Sequence, residues 1–125
     1  METLSPDDIA TQFAAKYYAD FQSDRKAFVE LFYREHSTLT FEANTVQGVQ
    51  AIGQKWTEEF LKTAKHQVTT TNAQRVPGGF VIVLVTGLLQ LTENDAPMNF
   101  TQSFLISMDE KGVFCHNDLF RLVYA

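Results

Sequence analysis

A single cysteine, Cys115, is all the thiol chemistry this sequence holds. One thiol can build neither a disulfide framework nor a cysteine-based metal site, and a reducing compartment is its simplest setting. Positive charge is scarce too: ten Lys and Arg against fifteen Asp and Glu leave a net charge of −5. That balance argues against nucleic acid and anionic membrane as partners, because both select faces rich in Lys and Arg. A basic protein partner or a neutral ligand fits better. No apolar run approaches the roughly 20 residues a membrane span needs. The opening Met-Glu-Thr-Leu-Ser-Pro-Asp-Asp is acidic and has no apolar centre, which reads against a signal peptide. Repeats, low-complexity tracts and linkers are also missing. His36, His66 and His116 show no metal-ligand spacing, so no metal and no cofactor is expected. What remains is a soluble, intracellular single domain over residues 1–125.

Phenylalanine, by contrast, is plentiful. Eleven of them stock the core of a chain of 125 residues, and each contributes about 1.5–3 kcal/mol when buried. The spine is the run from Phe80 to Leu91, whose first six residues are all apolar and mostly Val or Ile. Such a run suits a strand covered on both faces. One face is expected to pack on the chain's own helices and the other on a second copy of the chain. Gly87 interrupts the run where a bulge or bend is expected, so the sheet should curl.

Ser5-Pro6-Asp7-Asp8 starts a first helix of about four turns, with Ile9, Phe13, Tyr17 and Phe21 as its apolar stripe. Asp24-Arg25 opens a second helix with Phe28, Leu31 and Phe32 inward. Residues 38–42 alternate as a strand and end at a polar turn, Ala43-Asn44. Gly48 precedes a third helix with Val49, Ile52, Trp56 and Phe60 inward. Four long strands follow, at 66–76, 80–91, 99–108 and 113–124, joined by short turns that make them antiparallel neighbours. The expected fold is α+β: three helices packed on one face of a strongly bent, mainly antiparallel sheet, forming a cone with an open mouth.

Several short words then recur in order: Phe13…Tyr17-Tyr18…Phe21…Asp24-Arg25, Leu39-Thr40-Phe41-Glu42, Gln47-Gly48…Ile52 and His66…Thr69…Gln74. They continue with Thr86-Gly87, Phe100…Gln102…Phe104 and Asn117-Asp118-Leu119-Phe120-Arg121-Leu122. Their order and spacing resemble the nuclear transport factor 2 family over residues 9–124. The resemblance implies a homodimeric carrier that binds the GDP-bound form of the GTPase Ran and takes it through the nuclear pore. It would be found in cytoplasm, nucleus and the nuclear envelope, and it would perform no chemistry. An aromatic side chain of the GTPase would enter the cone's mouth while acidic residues on the rim pair with its basic residues. The resemblance assigns that contact to Phe41, Glu42, Leu89, Leu91, Glu93, Asp95 and Phe120. The apolar run from Phe80 predicts the dimer as well, with Phe80, Ile82, Leu84 and Leu119 expected at its interface.

The match has departures. Thr92 stands where the family usually has Asp. Glu59-Phe60-Leu61-Lys62 replaces the usual Leu-Pro-Phe-Gln, which alters that rim. Before the first helix, where members carry a large aromatic that grips Phe-Gly repeats of nucleoporins, this chain has Pro6, with Leu4 the nearest apolar residue. Leu4 and Pro6 are therefore the positions at issue for nucleoporin binding.

Plainer readings of the same residues exist. Glu42 alone could be a solvated strand-end carboxylate, and Glu93 and Asp95 are ordinary turn residues. A lone strand histidine is usually structural. Asp118, set among apolar residues, must find donors; an ion pair with Arg121 or a contact beside Asn117 is the expected solution. Of Tyr17 and Tyr18, one is expected in the core and the other at an interface. The same cone also hosts isomerases and dehydratases, for which Asp118, His66 and Tyr17 would be the acid–base candidates. A third alternative is a heterodimeric adaptor, resembling relatives that pair with messenger-RNA export factors.

Overall fold

Ser5 and the residues behind it start the first helix as its chemistry requires. In the computed structural model, which describes residues 4–124, Ser5 Oγ accepts the Asp8 N–H at 3.1 Å. Helix α1 spans Pro6–Ser23 and buries Ile9, Ala10, Phe13, Ala14, Tyr17, Tyr18 and Phe21. Tyr18 is thus core, not interface, and its hydroxyl donates to Gln102 Oε1 at 2.7 Å. Asp24 caps helix α2, Arg25–Phe32, through the Ala27 N–H. Phe28, Val29 and Phe32 fill its inward arc, leaving Leu31 at the edge and 37% exposed rather than inward.

A hairpin follows, β1 (Thr38–Phe41) and β2 (Asn44–Gln47). Strand β2 is polar and mostly exposed, so it carries no alternation that marks it in the sequence. Helix α3, Val49–Trp56, buries Ile52 and Trp56 and then stops, giving way to a single 3-10 turn, Glu59–Leu61. Loss of the helical phase swaps two residues: Phe60, expected inward, is 46% exposed, and Leu61 is buried in its stead. Strands β3 (Lys65–Val76), β4 (Phe80–Gln90), β5 (Met98–Asp109) and β6 (Gly112–Val123) complete the chain.

The six strands form one sheet in the order β2-β1-β6-β5-β4-β3, antiparallel throughout except where β1 runs parallel to β6. Along β4, Val81, Val83 and Val85 are buried while Ile82 and Leu84 lie on the other, exposed face. The three helices cover the inner face, as the apolar stripes demand. Among the described residues no helix is long and apolar enough to cross a membrane.

The sheet bends where β3 crosses Gly87. The extra residue lies in β3, not β4: Val68 pairs with Gly87 and Thr70 with Thr86, so Thr69 is bulged out of register. A Cβ on Gly87 would sit 2.2 Å from the Gln67 carbonyl oxygen and 2.9 Å from the Phe100 ring. Only glycine admits that approach. Gly87→Ala is expected to destabilise the fold by at least about 1–3 kcal/mol, the usual cost of overpacking. A urea unfolding midpoint equal to that of the wild type would show that the bend does not need glycine here.

Candidate partner-binding site

Parallel pairing sets Phe41 of β1 beside Phe120 of β6, on the same side of the pleat. Their rings stack at 4.9 Å with 9° between planes, and Phe120 stacks in turn on Phe100 at 5.3 Å. Trp56 meets Phe41 edge-on at 5.6 Å, and His66 meets Phe100 and Phe120 edge-on. Edge-to-face and offset contacts of this kind add about 0.5–1.5 kcal/mol each beyond their buried area. Phe41, Phe120 and Leu89 are buried, with Leu89 opposite His66 in register, and Leu91 is half-buried. The ring nearest solvent is Phe60, 6.0 Å from Phe41. The aromatic residues assigned to the mouth therefore close on one another beneath Phe60.

Glu42 stands at the lip of this stack in a left-handed conformation, φ 56°, at the first loop position of the β1–β2 hairpin. That position ordinarily goes to glycine. Its N–H donates to the Phe120 carbonyl at 3.0 Å, and its Oε1 accepts the Leu122 N–H. Oε2 remains 4.0 Å from the exposed Arg121 guanidinium, a loose contact worth little. One carboxylate oxygen is fixed by the backbone and, among the described residues, the other is left with only the loose Arg121 contact. A non-glycine residue held at positive φ is a reason to look for function.

Glu93 and Asp95 are exposed in the turn after β4. Thr92, in the place of the usual acid, donates its hydroxyl to Asp95 Oδ2 at 2.9 Å, so it orients the neighbouring carboxylate. Thr63 Oγ1 donates to the Leu91 carbonyl at 2.6 Å and ties the 3-10 turn to the start of this acidic loop. Leu4 and Pro6 lie elsewhere: Leu4 lines an apolar cleft of about 360 Å³ with Ile9, Phe13, Leu31, Phe32 and Met108. On the outer sheet face, Leu84, Ser103 and Leu119 align across three strands, and Ile82, Leu84 and Leu119 are 43%, 42% and 55% exposed. Phe80 is half-buried beside this row, its ring edge-on to His116.

Asp118 does not pair with Arg121 or Asn117. It is buried and accepts from the Tyr17 hydroxyl (2.9 Å), the Tyr33 hydroxyl (2.6 Å) and Gln102 Nε2 (2.7 Å). Tyr33 in turn accepts from the Trp56 indole N–H at 3.0 Å. Tyr17 and Tyr33 are also only 2.7 Å apart. Three short contacts thus join Asp118 Oδ2 and two hydroxyls that together supply two protons. A proton on the carboxyl would complete the set. Burial pushes the Asp118 pKa up to about 6, opposed by the donated hydrogen bonds. His66 is held neutral, its pKa lowered to about 3 by burial and then by the charge of Arg25.

Of the acid–base candidates, Asp118 and Tyr17 therefore meet, but inside a satisfied network, and His66 sits in an aromatic box. Among the described residues no group of three or more His, Cys, Asp or Glu could hold a metal ion. The sequence reading missed Tyr33, Trp56 and Gln102 as members of the network. Gln102 carried a signal: it is the one polar residue at the inward parity of β5, between Phe100 and Phe104.

The model of the nuclear transport factor 2 domain matches residues 9–122. The chain belongs to the nuclear transport factor 2 family. It is 44% identical over 118 residues to nuclear transport factor 2 of Emericella nidulans, covering 93% of this chain and 94% of that one. With nuclear transport factor 2B of Arabidopsis thaliana the identity is 36% over the full length of both. The solved nuclear transport factor 2 of Cryptosporidium parvum superposes with a TM-score of 0.84 at 33% identity, covering 94% of each chain. The yeast UBP3-associated protein BRE5, at 21% identity and a TM-score of 0.80, shares the fold alone.

Because the folded-state pKa of Asp118 lies above the ordinary carboxylate value, folding favours the protonated form. Its contribution to stability is full below about pH 4 and lost as pH rises through about 6. Asp118→Asn, which cannot ionise, should therefore gain on the wild type across that window and run parallel above it. Urea unfolding of both proteins from pH 4 to 7.5 checks the sign; a constant difference would mean the carboxylate stays charged.

Proposed function

We propose that this family member is a nuclear import carrier that binds Ran in its GDP form at the lip formed by Phe41, Phe60 and Glu42. The supporting observation is Glu42: a carboxylate locked by the Leu122 N–H next to the stacked Phe41 and Phe120 rings, its second oxygen held, among the described residues, only by a loose 4.0 Å contact with the exposed Arg121. An apolar anchor next to an oriented acid is what an aromatic side chain flanked by basic residues requires. Glu93 and Asp95 extend the negative rim. Leu89, Leu91 and Phe120 form the apolar floor. Discrimination between nucleotide states rests with the GTPase, whose switch segments present the aromatic side chain in one state only. The relatives are transport factors by name, and a buried, fully bonded Asp118 gives an isomerase or dehydratase no accessible base.

The outer face supports a homodimer. Ile82, Leu84 and Leu119 project from β4 and β6, an apolar strip that soluble monomers avoid leaving in water. An adaptor heterodimer would use the same face, and sedimentation of the purified chain alone separates the two readings. Nucleoporin contact through Leu4 and Pro6 would give the carrier its passage through the pore, and shuttling between cytoplasm and nucleus follows from that role.

Glu42→Lys should remove binding to Ran·GDP, because losing one partner of a close charge pair costs about 2–5 kcal/mol and the new lysine repels a basic surface. Glu42→Gln keeps an acceptor for the Leu122 N–H and should weaken binding less. Titration calorimetry against Ran loaded with GDP, and separately with GTP, is the measurement. Full affinity in the lysine variant would remove Glu42 from the site. Leu119→Asp should split the dimer, read as a halved mass in sedimentation equilibrium; an unchanged mass would move the interface elsewhere.

A further inference from the structure

Arg25 has no carboxylate partner among the described residues, although it is half-buried and charged. It bonds carbonyl oxygens instead: Nε donates to Phe21 at 2.6 Å, and Nη1 to Trp56 at 2.6 Å and to Leu61 at 3.2 Å. Its Cζ lies 3.7 Å over the Phe21 ring. Phe21 is in the last turn of α1 and Trp56 is the last residue of α3. Helix ends of this kind expose unpaired carbonyls and a negative dipole end, which a cation satisfies. One guanidinium therefore closes two helix ends and grips the 3-10 turn that carries Phe60. Only a planar fork with several donors can do this; a lysine ammonium on a flexible stem cannot hold the same geometry.

The turn is held at both sides. Arg25 takes the carbonyls of Trp56 and Leu61, which bracket Phe60, and Thr63 takes the Leu91 carbonyl at the acidic loop. We infer that Arg25 is a positioning residue for the partner site: it clips the 57–61 turn in place, so that Phe60 forms a fixed wall over Phe41. The role rests on the proposed carrier reading, in which the lip receives an aromatic side chain of a basic partner. Without the clip, Phe60 would have to be ordered at the moment of binding, and affinity would fall by that ordering cost.

The test uses Arg25→Lys, Phe60→Ala and the double variant in the full-length chain, with two readouts. First, hydrogen exchange of the free protein should show the Leu61, Lys62 and Ala64 amides opening roughly ten- to a hundredfold faster in Arg25→Lys, with strands β4 to β6 unchanged. Second, affinity for Ran·GDP should fall about tenfold in Arg25→Lys, and the same change should cost little once Phe60 is already alanine. Unaltered exchange in the turn, or losses that simply add, would overturn the role. Acceleration throughout the sheet would also overturn it, by making Arg25 a general support of the fold. Failure of the wild type to bind Ran·GDP would remove the carrier reading instead, and the exchange data would still decide whether Arg25 holds the turn.

Discussion

A carboxylate buried among hydroxyls holds the layers of this molecule in register. Asp118 lies on β6, yet its donors come from α1 (Tyr17), from the end of α2 (Tyr33) and from β5 (Gln102), and α3 joins through Trp56. Burying an acid is costly unless every lone pair finds a donor. The network therefore adds less net stability than position: sliding any helix along the sheet would leave a buried polar atom unpaired. Trp56 carries that constraint outward. Its indole N–H ends the network, its ring edges onto Phe41 and Phe120, and its carbonyl is held by Arg25. The candidate site is thus built on the same helix end that the interior fixes.

A second constraint is parity. Ile106 pairs with Cys115 and Leu105 with Asn117, so His116 is an extra residue in β6. Strict alternation from the buried Cys115 would turn residues 117, 119 and 121 inward. The bulge shifts the strand by one, bringing Asp118 and Phe120 to the inner face and Leu119 to the outer one. One inserted residue thus supplies the network's carboxylate, a ring of the aromatic stack and an apolar residue of the outer strip. At the opposite edge the Thr69 bulge and Gly87 bend β3 over the helices. Curvature and side-chain direction come from the same device, used twice.

The sequence made the helices and long strands legible because each repeats one signal: a four-residue stripe in α1, turn residues around β3 to β6. Legibility failed where the period changed. Counting from Val49 through Ile52 and Trp56 puts Phe60 inside, but α3 ends at Trp56, and the tighter 3-10 turn presents Leu61 instead. Strand β2 is polar and left no pattern at all. Asp118 failed for another reason. Arg121 and Asn117 are its nearest polar neighbours in sequence, yet on a strand residues one and three positions away point to the opposite face. The true donors stand 16, 85 and 101 positions away. Such distances are visible only once the sheet exists. The family's short words preserve some of this information, since Tyr17, Gln102 and Asp118 all occur in them.

Glu42 shows how far the site departs from what folding alone would choose. Its left-handed φ is sparsely populated for any residue with a Cβ, and such a conformation costs on the order of 1–3 kcal/mol. Glycine or asparagine would relieve that strain in a two-residue hairpin. Neither would carry a carboxylate back to the Leu122 N–H. Asp118, by contrast, has all its hydrogen bonds within the chain and none to offer a substrate. The two acids therefore differ by depth: the inner one fixes the frame, and the outer one, held under strain, fastens the β1–β2 hairpin to β6 through the Leu122 N–H.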